Sequence, residues 1–211
     1  MKKVNIKQDI QFAFHILTHP FDGFWDMKRN KQGKMYIALI CVGLYILTNI
    51  IKAQLTGFLF NERKFEIVDV MFEIQKVGII YILFILGNWS ITTLMDGEGS
   101  MKDIAMTFGY ACLPISLIQI PVAIVSNFAT YGEGVYISVL NAFSFLWFLF
   151  LLFFGIMTIH QYSLSKMVVT TVITIVAILA IIFVYLLFFS LIAQMSQFIA
   201  AIYKELSFRW G

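Results

Sequence analysis

Charge is scarce in this chain. Only 13% of its 211 residues are Asp, Glu, Lys or Arg, against about 25% in an ordinary soluble domain. Proline occurs three times, cysteine twice and histidine three times. Each shortage narrows the field. Cys41 and Cys112 both fall inside apolar runs, which argues against a disulfide framework. A formal net charge of +3 is too small for a nucleic-acid partner. No P-loop, nucleophile elbow or zinc-protease motif occurs. His15 and His19 have metal-compatible helical spacing but lack a clear third ligand. Asp96-Gly-Glu98-Gly-Ser100 opens like a calcium loop, but Thr107 stands where the bidentate Glu belongs. These absences predict no enzyme, no metal and no cofactor.

What fills the chain instead is hydrocarbon. Hydrophobic residues make up 60% of it, with 22 Phe and a mean hydropathy of +0.86. Such a composition belongs in a membrane. Apolar runs long enough to cross a bilayer, about 20 residues each, fall near residues 35–59, 77–95, 104–128, 135–159 and 167–195. The expected fold is all-α, a polytopic bundle of five transmembrane helices. Residues 1–34 form an N-terminal segment and residues 35–211 the membrane domain. No span centre is expected to carry Asp, Glu, Lys, Arg or His, the residues that ordinarily mark ion-coupled transport. The first apolar run comes too late for a secretory signal.

In the N-terminal segment Ile6, Ile10, Phe14, Leu17 and Phe21 recur at spacings of three and four, one face of a helix. Phe24 and Trp25 follow, then Lys28, Arg29, Lys31 and Lys34. Aromatic rings beside a basic cluster favour the headgroup layer. An amphipathic interfacial helix is expected, with Phe14, Phe21, Phe24, Trp25 and those four cations at the membrane surface; a helix packed under the bundle is the alternative. Most Lys and Arg near the first span precede it, so the positive-inside rule puts the N-terminus in the cytoplasm of a cell membrane and, after five crossings, the C-terminus outside.

Two turns then face the cytoplasm. In the first, DGEGS, glycine and aspartate suit a tight turn. Ser100 and Asp103 suit the cap of the following helix. The second is HQYSLSK, residues 160–166. Asp96, Glu98, Lys102 and Asp103 on one, and His160, Tyr162, Ser163 and Lys166 on the other, are candidate partner contacts. Pro114 and Pro121 sit inside the third span, where each removes a backbone N–H and predicts a kink or break. Gly78 and Gly87 in the second span suit close helix approach.

The segments HPFDGFWDMKR, GEGSMKDIAMTFGYACLP and HQYSLSK, set in a five-span layout, resemble the Yip family of integral membrane proteins, and its bacterial branch in particular. The family is named for eukaryotic members that contact Ypt/Rab GTPases. Those members carry Asp-Leu-Tyr-Gly-Pro before the first span; here HPFDGFW stands in its place, so GTPase binding does not carry over. The resemblance implies a non-catalytic adaptor or accessory subunit, associated with membrane lipids and a membrane-protein partner such as a transporter. Two other functions remain open: a small-solute transporter or pore lined by Asn88, Gln119, Asn127 and Asn141, and a lipid-binding or bilayer-shaping protein whose basic arm prefers anionic lipid.

Overall fold

A computed structural model describes residues 6–61 and 69–210. Lys2, Lys3, Arg63 and Lys64, four of the cations that flank the first span in sequence, lie outside them. Among the described residues eight α-helices follow in order: α1 (Ile6–Thr18), α2 (Pro20–Lys28), α3 (Met35–Leu55), α4 (Val70–Leu94), α5 (Met101–Ala111), α6 (Leu113–Val125), α7 (Gly134–His160) and α8 (Leu164–Trp210). No strand occurs among the described residues. Among the described residues five helical segments are long and apolar enough to cross a bilayer, α5 and α6 together forming the third.

That third span is the axis of the bundle, and more of it is buried than of the other four. It packs against α3 on one side and α7 on the other. In hydrocarbon, helices gain little by leaving lipid, so van der Waals fit and small residues decide which faces meet. The FGYACLP stretch supplies that fit. Phe108 is an aromatic hub, with ring centroids 5.3 Å from Tyr81, 5.3 Å from Phe84 and 5.6 Å from Phe148. Gly109 lets the α3 backbone approach: a Cβ there would lie 2.5 Å from the Ala38 carbonyl oxygen. Tyr110 is buried, and its hydroxyl donates to the Lys34 carbonyl (3.2 Å) and accepts from the Lys34 N–H (3.1 Å) at the start of α3.

The helix breaks at Cys112, two residues before Pro114, which occupies the first turn of α6. A proline is tolerated there because first-turn N–H groups have no intrahelical partner. Pro121 lies inside α6, which continues through it without a break. The glycines of the second span also separate. A Cβ on Gly87 would lie 2.5 Å from Ile178 of α8, whereas one on Gly78 would meet open space.

Helix α4 begins at Val70, seven residues before the expected edge of the second span. Asp69 caps it by accepting the Met71 (2.9 Å) and Phe72 (3.2 Å) N–H groups. The earlier start brings Glu73 into the first turn, fully buried and ion-paired with Lys76 at 2.5 Å.

The N-terminal arm has two apolar stripes. Of the periodic stripe, Ile10, Phe14 and Phe21 face outward, with Trp25 beside them, while Leu17 is partly buried against the core. Phe12, Ala13, Ile16, Phe24 and Met27 join the core. Phe24 therefore differs from its expected surface position. Its ring packs where Gly155 of α7 leaves room, since a Cβ there would sit 2.9 Å from it.

Helix α8 has 47 residues, about 70 Å at 1.5 Å per residue, more than twice the roughly 30 Å hydrocarbon core. Its first turns pack on α4; from Phe183 onward the residues whose side chains are described are all exposed.

Replacing Gly109 by Val is expected to cost about 1–3 kcal/mol, because the obstructing atom is backbone and α3 must shift. Gly78→Val is the control and should lie near neutral. Thermal unfolding of both variants in detergent measures the difference, and equal melting would remove the proposed constraint.

Candidate interaction site

The arm, the DGEGS turn and the HQYSLSK turn are far apart in sequence, yet they meet at one end of the bundle. The chain is brought there by α2, by the α4–α5 connection and by the α7–α8 connection. Two left-handed residues shape the turns: Asp96 (φ 55°) just after α4, and Gln161 (φ 54°) as the C-cap of α7. Aspartate tolerates this region through local side-chain hydrogen bonding, and a left-handed residue is a common helix ending.

Glycine at 97 and 99 is dictated by a ring. The Gly99 N–H donates to His160 Nδ1 at 3.1 Å. A Cβ on Gly99 would lie 2.7 Å from the same imidazole, and one on Gly97 would collide with it. Tyr162 stacks beside His160 at 5.3 Å. Its hydroxyl lies within hydrogen-bond reach of both the Thr92 (3.2 Å) and Met95 (3.1 Å) carbonyls at the end of α4. Burial raises the Tyr162 phenol above its ordinary value, and the Asp96 carboxylate raises it further. The hydroxyl is thus a protonated donor throughout the physiological range. Lys166 lies over the other part of this unit, 4.5 Å from the Tyr162 ring centroid.

The arm is fastened from the other side. Lys28 Nζ donates to the Ile159 carbonyl at 2.5 Å. A cation there satisfies a terminal carbonyl and complements the negative end of α7. Arg29 pairs with Glu98 at 2.8 Å, and Lys28 lies 3.5 Å from the same carboxylate. Arg29 also lies over the Trp25 ring at 5.4 Å. On the hairpin, Ser100 and Asp103 form the reciprocal cap of α5, with Asp103 Oδ2 accepting from Ser100 N (2.9 Å) and Oγ (2.7 Å).

The eight candidate contact residues therefore divide by exposure. His160 and Tyr162 are buried and Asp103 is held by the cap. Asp96, Lys102 and Ser163 are exposed, Lys166 is partly so, and Glu98 is shared between solvent and the arm. Of the arm's cations, Lys28 and Arg29 belong to this cluster, Lys31 is exposed, and Lys34 contributes its backbone to Tyr110. Among the described residues no group of three His, Cys, Asp or Glu is arranged to hold a metal. Sequence reasoning missed the Lys28–Ile159 and Glu98–Arg29 contacts, since nothing local in the chain signals a partner 131 or 69 residues away.

The opposite end holds a cavity of about 620 Å³ between α3, α6 and α7, whose lining includes Asn141. Gln119 lies beside it, accepting from Lys52 Nζ (3.3 Å) and donating to Ser144 Oγ (3.0 Å). Asn127 instead clasps the end of α3, donating to the Leu55 carbonyl at 2.6 Å. Asn88 sits on α4, away from this cavity. The proposed polar path is thus not one array.

Tyr162→Phe is expected to cost about 1 kcal/mol, the net worth of a hydrogen bond, or about 2–4 °C in Tm for a chain of this size. That contribution holds below the unfolded tyrosine value of about 10 and fades as pH rises through the raised folded value. Glu98→Lys should cost less, about 0–1 kcal/mol, because its ion pairs are half-exposed. Thermal melts at pH 7 and at two salt concentrations check both, salt narrowing only the Glu98 difference.

Among known proteins, a family model described as Yip1 domain matches residues 14–203. No curated protein matches, and no solved structure matches.

Proposed function

The chain belongs to the Yip1 domain family, and from that premise we propose that it is a non-catalytic adaptor or accessory subunit of a membrane complex. The observation that carries this is the convergence of arm, hairpin and turn into one internally bonded polar end. Ion pairs, the His160 ring and the Tyr162 hydroxyl hold these segments together. Asp96, Lys102, Ser163 and Lys31 are left outward on a preformed surface. A preorganised surface binds with less ordering cost than a floppy one.

The partner we propose is a membrane protein, a transporter being the class the family resemblance suggests, in a bacterial cell membrane. The exposed length of α8 supports a membrane partner, since another helix can cover what α4 leaves bare. The N-terminus, and with it the polar end, is assigned to the cytoplasm on the weight of Lys28, Arg29, Lys31 and Lys34 before the first span. The outward stripe of Ile10, Phe14, Phe21 and Trp25 then meets the headgroup layer of the same leaflet. No GTPase is among the proposed partners.

The test is affinity purification of the tagged full chain from its native membrane in mild detergent, with mass spectrometry of co-purifying proteins. A membrane protein in near-equal amount is expected. Double charge reversal, Asp96→Lys with Lys102→Glu, should lower its recovery about tenfold, a loss of roughly 1.4 kcal/mol. A chain that purifies alone, or whose partner is unaffected by the reversal, sinks the proposed surface.

A further inference from the structure

Helix α8 carries no proline or glycine from Leu164 through Trp210. Sharp helix bends arise almost always at such residues, so α8 runs on as one rod. Its first half is placed by α4. Thr170 Oγ1 lies 3.2 Å from Met95 Sδ, and Ile178 packs where Gly87 leaves room. The two helices therefore run antiparallel. On that register Val70, where α4 starts, is level with about Met195, since both helices rise about 1.5 Å per residue. Residues 183–195 thus stand in the far leaflet, and residues 196–210 continue about 20 Å past it.

The face that α4 covers does not end with α4. Met167, Thr170 and Thr174 are buried on it. The same helical row goes on through Phe188, Ile192, Met195, Ile199 and Ile202, all of them exposed. These five alternate at spacings of four and three, the a/d seam of a heptad repeat. The polar residues of the stretch all lie off the seam: Ser190, Gln194, Ser196, Gln197, Lys204 and Glu205.

Lipid chains can cover the seam as far as Met195. They do not reach Ile199 and Ile202, which stay apolar where polar residues return to the other faces. A rod without a bend cannot lay those two residues down on the membrane surface either. A second helix can cover the whole seam. Copies of one chain share their orientation in a membrane, so their α8 helices run parallel and set each seam position against its own counterpart. Ile192 and Ile199 then take the a positions, where a β-branched side chain favours two strands. The seam carries no charge, so it meets itself without repulsion.

We propose that the far half of α8 pairs with the same helix of a second copy in a parallel two-stranded coiled coil, with Phe188, Ile192, Met195, Ile199 and Ile202 at its core. The pairing lies at the opposite end of the molecule from the polar surface of arm, hairpin and turn. A partner bound at that surface leaves it intact, so either reading can fail without the other.

The test is oxidative crosslinking of the full chain in its native membrane with copper phenanthroline, followed by native mass spectrometry of the purified chain in mild detergent. Cys41 and Cys112 are buried, so the unaltered chain sets the crosslinking background. Met195→Cys is expected to crosslink to a dimer, and Gln197→Cys, off the seam, to stay at background. By mass the unaltered chain should be a dimer. Ile199→Lys puts a charge on the seam beyond the bundle. It should weaken dimerisation about tenfold or more, as burial of an unpaired charge requires, with the thermal melting of the bundle unchanged. Gln197→Lys adds the same charge off the seam and should leave the dimer as it was. A monomeric chain, equal crosslinking at positions 195 and 197, or a dimer that Ile199→Lys leaves intact overturns the proposal.

Discussion

The close approach of α5 to α3 is the contact on which the rest of this bundle depends. It exists because Gly109 has no side chain and because Tyr110 ties the start of α3 through both polar groups of Lys34. Phe108 then meets α4 and α7 from the same turn of helix. Three consecutive residues therefore set the position of three neighbouring spans. In lipid this is the economical arrangement, since packing and backbone hydrogen bonds replace the hydrophobic drive that a soluble core would use.

The break at Cys112 follows from the same axis. A straight helix through the bundle centre would carry Pro114 in its interior and lose a backbone bond there. Ending α5 and starting α6 puts the proline in a first turn, where its missing N–H costs nothing. The two halves then serve different ends of the molecule. The α5 half, with its Ser100–Asp103 cap, belongs to the polar end where the arm and the two turns meet. The α6 half carries Gln119 and Ser126 to the cavity at the other end.

Chemistry is correspondingly separated. One end is internally paired: Glu98 with Arg29, His160 with the Gly99 N–H, and Lys28 with the α7 carboxyl end. Its remaining outward groups suit recognition of another protein. The other end holds a cavity lined by side chains of α3 and α7, Lys52 and Asn141 among them. The two do not share a residue, so each can be disabled without the other.

Much of this was written in the sequence. Five apolar runs announce five spans because hydrocarbon tolerates no unpaired backbone, so only helices of bilayer length can cross it. The Ser100–Asp103 cap was legible because capping is local, three residues apart. Ile10, Phe14 and Phe21 were legible as one stripe because helical periodicity is local too. The tertiary structure decided the rest. That Phe24 is buried while Trp25 is exposed depends on the gap left by Gly155 of a distant helix. That Glu73 lies inside rather than before its span depends on the Asp69 cap and on burial against neighbours. The pairing of Glu98 with Arg29, the glycines that clear the His160 ring, and the meeting of Asn141 with Lys52 at one cavity join residues 60 to 90 positions apart. Periodicity reports which face of a helix is apolar, but only packing decides what each face meets.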